Sequence, residues 1–391
     1  MTPSLRAAAL MSAAGDLLGL RDFGDPAFRE PFEKLVEAVD SAGTLDATWA
    51  AAFDADMTRL LCTRLAIAAA FAEHPEIADE ELDDPIVITG LARTGTTKLH
   101  RALAVVPDFQ RLLLWQALFP TPWGPPGPGP DPRIAVTEQQ LAVLREQHPD
   151  MMAVHPVEAT EPEEEVLLLQ LSFRTVGTPW VCHGYSFIDW VVQQDQTPAY
   201  ADLKRALQYL QWQDGGRRGR PWVLKAPIHL HALETLLKTF PRATVVHCHR
   251  DPQQVVPSSA HMQEIFHRAY GADHVPLEQI GRNVLLSAQS WDANIEQRAR
   301  VDAAQVLDVD YAETCSDVSA VVARILRSRG TEPAPALLAA ITAWERSHPP
   351  GRTGAPDYTL DRYGLTPHQV DEAFAAYRAF VSGPDSPLRR G

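Results

Sequence analysis

Apolar residues recur at three- and four-residue intervals from Pro31 to Val39 and again from Asp46 to Ala72, the spacing that lays one buried stripe along a helix. Residues 1–80 therefore read as a helical region, packed either on the body of the protein or against a second copy in a homodimer. Beyond residue 80 the pattern changes. Short runs of β-branched and apolar residues bounded by turn formers predict strands at Ile86 to Thr89, Trp180 to His183, Trp222 to Lys225, Thr244 to His247 and Val306 to Val309. Helical stretches separate them, Ala199 to Gln213 and Leu230 to Phe240 among them, and a last helix is expected from Thr366 to Val381. This alternation predicts an α/β fold with a parallel central sheet flanked by helices.

Composition narrows the class. With 45% hydrophobic and 22% charged residues, the 391-residue chain can bury a substantial core. Its 35 basic against 50 acidic residues give a formal charge of −15, which argues against non-specific binding to nucleic acid or anionic membranes. No uncharged apolar run approaches the roughly 18 residues of a membrane span. The stretch from Met1 to Leu20 is broken by Gly15-Asp16 and is too short and polar for a signal peptide. Cys62, Cys182, Cys248 and Cys315 are scattered without zinc-site spacing, so a reduced, cytoplasmic enzyme with no structural metal is expected.

The chemistry starts at Pro85 to Thr97, which reads as a buried strand, a glycine-bounded loop and a helix start, the usual build of a phosphate cradle. Gly90 and Gly95 have the spacing of the P-loop pattern G-x-x-x-x-G-K-[ST], but Thr96 stands where a nucleotide triphosphatase carries its lysine. Arg93, inside the loop, offers a planar fork of donors in its place. Lys98 is turned about 200° from the lysine slot along the helix and cannot substitute.

The run Gly90 to Thr97, followed by Leu99-His100-Arg101, resembles the 5′-phosphosulfate loop of sulfotransferases that use 3′-phosphoadenosine-5′-phosphosulfate (PAPS), written R-T-G-T-T in their bacterial branch. Two further segments are similar to that family in the same order: Trp222 to Pro227, a strand ending in Lys225, and Ala243 to Pro252, a strand ending in Arg250-Asp251-Pro252 with Ser258 eight residues after the arginine. The resemblance implies a P-loop-like fold over a single domain at 81–391, with PAPS as co-substrate and no metal in the chemistry. It assigns Arg93, Thr94, Gly95, Thr96 and Thr97 to the 5′-phosphate and sulfonate, and Arg250 and Ser258 to the 3′-phosphate. Lys225 joins Arg93 on the leaving oxygen. A glycine-flanked turn at His348 to Gly354 adds Arg352 as a cap over the 3′-phosphate. The run Pro120 to Pro132 is barred from helix and sheet interiors by its prolines and glycines. Since the motifs flank it, it reads as a loop within the domain, either a surface excursion or a lid at the acceptor entrance.

The proton acceptor departs from the family. Where cytosolic sulfotransferases carry a histidine two residues after the lysine this chain has Pro227, and where the bacterial branch often has Leu-Trp-Glu it reads Leu114-Trp115-Gln116. His155 and His229 are the candidates, because imidazole titrates near working pH. Thr160 and Glu163 have capping-box spacing, which reads either as a helix with a solvated acidic end or as a segment bringing His155 or one of Glu163 to Glu165 to the acceptor. Trp115, Trp123, Phe173, Tyr185 and Trp190 are available to line a pocket for a small apolar or phenolic acceptor. The competing readings are a P-loop kinase or nucleotide hydrolase, with Val306 to Asp310 as a weak Walker-B candidate, and an inactive nucleotide-binding module.

Overall fold

The computed structural model describes residues 3–125, 127–175, 179–348, 358–384 and 386–389. Five strands form the central sheet: β1 (Ile86–Thr89), β2 (Gln110–Arg111), β3 (Trp222–Lys225), β4 (Thr244–His249) and β5 (Val306–Asp310). Their order is β2-β3-β1-β4-β5 and every pairing is parallel. β1 is short, apolar and buried at every position, as the middle strand of a sheet covered on both faces must be. Ile88 lies opposite Lys225 on one side and Val246 on the other, so β1, β3 and β4 deliver their carboxyl ends to one edge.

Side chains alternate across the sheet with period two. Val87, Leu224 and Val245 join the cluster built by three N-terminal helices, α1 (Pro3–Leu18), α2 (Arg29–Ala42) and α3 (Ala47–Glu73). Asp46 starts α3 by accepting from the Trp49 amide at 2.9 Å, and Gly43, left-handed at φ 62°, ends α2. Ile86, Ile88, Val223 and Val246 face the other way, onto α4 (Thr96–Leu103) and the helices after β5. Lys225 follows Val223 by two residues and so belongs to the α4 face. The parallel α/β sheet is thus as expected; the helices read at 31–39 and 199–213 lie within Arg29–Ala42 and Thr197–Gln213, and the one read at 46–72 is Ala47–Glu73 with Asp46 as its cap.

Three expectations are corrected, and one strand is added. Trp180 to His183 is a 3₁₀ turn rather than a strand: bracketed by Pro179 and Gly184, its indole packs edge-on against Phe53 and donates to Asp56 Oδ2 at 2.8 Å. The strand that replaces it in the sheet, β2, is the polar pair Gln110–Arg111, held by Gln110 donating from its amide to the Pro221 carbonyl at 2.9 Å. No helix starts at Thr160; the nearest one is the single turn Val166–Leu169, because the three glutamates before it are drawn inward. The helix expected from 366 to 381 is two, Pro367–Ala373 and Ala375–Ser382, divided at Phe374 (φ −101°) where the ring is fully buried.

Gly90 joins β1 to the loop at φ 150°, and a Cβ there would stand 2.5 Å from the Cys248 carbonyl oxygen of β4 and 2.9 Å from Thr94 Oγ1. Both neighbours are fixed by the sheet and the loop, so Gly90→Ala is expected to cost about 1–3 kcal/mol of unfolding free energy. Urea denaturation followed by tryptophan fluorescence reads this, and an unchanged midpoint would show that β1 and β4 part freely here.

Candidate active site

At the carboxyl end of β1 the loop turns left-handed twice, at Arg93 (φ 73°) and Gly95 (φ 86°), before α4 begins. Thr94 closes the loop from inside, its hydroxyl donating to the Leu91 carbonyl at 2.7 Å. No side chain caps α4, and the amides of Gly95, Thr96 and Thr97 have no acceptor among the described residues. Unpaired, aligned amides at the positive end of a helix form a ready anion cradle. Lys98 points elsewhere, onto Glu345 Oε1 at 2.5 Å and the Cys315 carbonyl at 3.4 Å.

The two arginines read from sequence interlock. Arg250 Nη1 donates to the Arg93 carbonyl at 2.7 Å, and its guanidinium lies 4.0 Å over the Tyr311 ring. Arg93 in turn donates from Nε to Ser258 Oγ at 3.1 Å and from Nη1 to the Val154 carbonyl at 3.0 Å. Tyr358 also donates to Ser258 Oγ, at 3.1 Å. With both lone pairs of Ser258 engaged, its own hydrogen is left to donate. Arg93, Arg250 and Ser258 are therefore together in one corner, while Arg352 lies outside the described residues. Tyr311 and Tyr358 carry no motif and were not legible from sequence.

Lys225 ends β3 with its side chain buried, its ammonium on Glu164 Oε1 and 3.4 Å from Thr97 Oγ1. Its amide donates to Glu165 Oε2 at 2.7 Å, and the other oxygen of that carboxylate meets His229 Nε2 at 2.5 Å. His229 Nδ1 is held by the Tyr200 hydroxyl at 2.7 Å. His229 is thus fully buried with both nitrogens occupied, which keeps it from a substrate and makes it a brace for Glu165. Burial works against the Glu165 charge, but His229 and the Lys225 amide prevail and hold its pKa below the ordinary range. His155 is partly exposed, with Nε2 3.7 Å from Glu163 Oε1 and its ring edge-on to Phe266. Burial again opposes the Glu163 charge, and His155, Lys225 and the Glu164 amide outweigh it, so this carboxyl also stays ionised. The acidic segment is therefore turned into the site instead of forming a solvated end.

The departures from the motif find local explanations. Gln116 Oε1 accepts from the Leu113 amide at 3.1 Å and caps the helix Leu114–Leu118, and Pro227 opens the 3₁₀ turn that carries His229. Of the aromatic residues proposed for the acceptor, Phe173 packs on Phe32 and Trp190 on Phe187 in the N-terminal core, and Tyr185 is paired with His267. Trp115 lies under the Arg133 guanidinium, and Trp123 is half exposed against Phe119. Asp308 of the Walker-B candidate is forked by Arg298 at 2.6 Å on both oxygens and also meets His249 Nε2 at 2.7 Å. His247, His249 and Asp308 converge as metal ligands do, but Arg298 Nη1 also bonds His247 Nδ1 at 2.9 Å, so a guanidinium already serves as the cation there.

Residues 85–335, well over half the chain, match the sequence model of the sulfotransferase family. The sulfotransferase STF1 of Mycobacterium tuberculosis H37Rv superposes with a TM-score of 0.75 at 30% identity, covering 94% of this chain and 98% of that one. STF9 of Mycobacterium avium gives 0.81 at 25% identity, covering 97% and 96%. The omega-hydroxy-beta-dihydromenaquinone-9 sulfotransferase Stf3 of Mycobacterium bovis is 25% identical over 303 residues, 74% of this chain and 73% of its own.

The buried titratable groups set the acid sensitivity. Burial pushes His100 and His231 down to about 4 and holds His247 well below the ordinary imidazole value, so each is neutral when folded and gains its proton more readily unfolded. Their contribution is complete above the free imidazole value of about 6.5 and fades as pH falls below it. Glu163, Glu165 and Asp308, all depressed, add a second loss below about pH 4. Urea midpoints measured at pH 7, 5 and 3 should therefore fall at each step, and a midpoint that holds or rises on acidification contradicts this set of charges.

Proposed function

The chain belongs to the sulfotransferase family and is a sulfotransferase, and we propose that it moves the sulfuryl group from PAPS to a hydroxyl of a small apolar or phenolic acceptor, in the cytoplasm and without a metal. The observation that carries the donor reading is the meeting of the unpaired amides of Gly95 to Thr97 with the Arg250, Arg93 and Ser258 corner. A nucleotide with phosphates at both ends of its ribose needs two such anion sites, and in a chain of charge −15 they must be local.

In this reading the Gly95, Thr96 and Thr97 amides, with the Thr96 and Thr97 hydroxyls, hold the 5′-phosphosulfate; Thr94 acts through the fold of the loop. Arg250 and Ser258 take the 3′-phosphate. Arg93 joins the two sites, since its backbone lies in the cradle and its side chain reaches Ser258. The acceptor oxygen attacks sulfur in line with the departing phosphate oxygen. As the new S–O bond forms and the old one breaks, the electron pair stays on that phosphate oxygen, beside the Lys225 ammonium and the helix end. The acceptor's proton passes to Glu164, the carboxylate that touches Lys225 and retains some exposure. The contact between His155 and Glu163 favours a second assignment, with His155 as the base oriented by a carboxylate. His229 braces Glu165 and, through it, the Lys225 backbone.

Trp115, Phe119 and Trp123 support an apolar acceptor, as does the hydroxylated menaquinone named for Stf3. The cytoplasmic assignment rests on four free cysteines, and no described helix is long and apolar enough to cross a membrane.

Calorimetric titration with adenosine-3′,5′-bisphosphate should show magnesium-independent binding that weakens about 10- to 100-fold in Arg250→Ala. A preference for magnesium ATP, or indifference to Arg250→Ala, returns the chain to other phosphate chemistry. For the base, Glu164→Gln is expected to lower kcat about 10²- to 10⁴-fold with bisphosphate affinity retained. The same loss in His155→Gln with Glu164→Gln near wild type would move the role to His155.

A further inference from the structure

One buried side chain close to the proposed chemistry has no partner. His100 is on α4, 1% exposed, and neither of its ring nitrogens makes a hydrogen bond. Leaving a buried polar group unpaired costs about 1–3 kcal/mol, a cost that an apolar side chain at this position would not carry. Stability alone does not account for a histidine here.

Its position is informative. His100 follows Thr97 by three residues and shares that face of α4, and Thr97 Oγ1 is 3.4 Å from Lys225 Nζ. Lys225 runs along the same sheet face as Val223, whose side chain packs with Leu99 and Leu103 of α4. The Val223 carbonyl lies beside the ring, outside good hydrogen-bond geometry, and Lys225, Glu165 and Glu163 are the charges that act on it. Burial first, and then the Lys225 charge, push the imidazole down to about 4, so it is neutral near pH 7. A neutral ring has one N–H, for which the Val223 carbonyl is the nearby acceptor, and one lone pair with no donor.

A donor becomes available during the reaction. Lys225 rests on Glu164. Once Glu164 takes the acceptor's proton it no longer neutralises the lysine, which must find other acceptors in a dry site. We propose that His100 is a positioning residue that receives the Lys225 ammonium as it leaves Glu164, and so holds it beside Thr97 against the leaving phosphate oxygen. The inference rests on the sulfotransferase reading with Glu164 as proton acceptor. His100 neither gains nor loses a proton: the proton goes from acceptor to Glu164, and the electron pair of the broken S–O bond stays on phosphate.

Two measurements on the full chain test it. The first follows the ¹⁵N imidazole resonances of His100, assigned with His100→Gln. In Glu164→Gln the lysine has lost its counter-charge, so the unprotonated ring nitrogen should show the upfield shift of an accepted hydrogen bond, and this should vanish in Glu164→Gln with Lys225→Met. A resonance unchanged from wild type in Glu164→Gln, or a shift that survives removal of Lys225, overturns the proposal. The second compares His100→Leu and His100→Gln in transfer from PAPS to 4-methylumbelliferone. His100→Leu should match or exceed wild-type thermal stability and bisphosphate affinity while kcat falls about 10- to 100-fold, with part of the loss restored in His100→Gln. Wild-type kcat in His100→Leu, or a loss explained by weaker bisphosphate binding, also overturns it. If His100→Leu does not fold, the spectroscopic arm decides. Absence of bisphosphate binding in the wild type would sink the donor reading instead, and the ¹⁵N measurement uses neither donor nor acceptor.

Discussion

The buried carboxylate of Glu165 is the interaction on which the site depends. It is wholly shielded from water, and its two oxygens are taken by the Lys225 amide and by His229. An isolated carboxylate in such a place would be prohibitively costly, and this one is tolerated because both sides of it are hydrogen-bonded. The consequence is geometric: the loop from Glu158 to Glu165 is tied to the end of β3. Glu164, the preceding residue, is then delivered to the Lys225 ammonium, and Glu163 to His155. The brace extends outward through His229 to Tyr200, on a helix that packs into the same core as the N-terminal helices. Those helices carry no chemistry of their own, yet they pack around the helix that holds Tyr200.

A second constraint is the close approach of β1 and β4 at Gly90. Because the Cys248 carbonyl leaves no room for a Cβ there, the loop after β1 can run directly beside the end of β4. That proximity lets Arg250, one residue past β4, reach the Arg93 carbonyl, and lets Arg93 reach Ser258 on the next helix. Two segments distant in sequence thereby share one hydrogen-bond network. Each bond is modest in net energy, but together they fix the directions of two guanidinium groups before any anion arrives.

Much of this was legible in the sequence because the donor side is built from backbone geometry at strand ends. Glycine at Gly90 and Gly95, a strand ending in lysine and a strand ending in Arg-Asp-Pro are local signals, and the parallel sheet brings them together. The failures have a common cause. Trp180 to His183 carries the residues of a strand but buries them against Phe53, and β2 has almost no apolar signal because its side chains serve Gln211 and the Arg220 carbonyl. The spacing of Thr160 and Glu163 predicts a cap, yet the burial of Glu165 outweighs the local preference. Long-range pairing decided each case, and pairing partners such as Tyr311, Tyr358 and Tyr200 leave no mark on the motif itself.

The division between local and long-range signals also bears on specificity. The elements assigned to the donor follow strand ends, whose positions are fixed by the register of the buried central strands. The elements assigned to the acceptor side are the short helix Leu114–Leu118, the helix Pro149–Val154 and the glutamate loop; the first and last are bridged to each other at Leu113 and Pro162, and Arg93 of the loop after β1 donates to the Val154 carbonyl. Residues there can change without disturbing the sheet, provided Glu165 stays paired. Gln116 illustrates the freedom: its side chain caps its own helix by accepting from the Leu113 amide, and in the proposed mechanism Glu164 takes the proton in its place. A site arranged this way keeps one donor chemistry while its acceptor pocket is reshaped. On that account the residues proposed for the donor carry local motifs in the sequence, whereas the acceptor must be inferred from the shape and polarity of a surface that the sheet does not constrain.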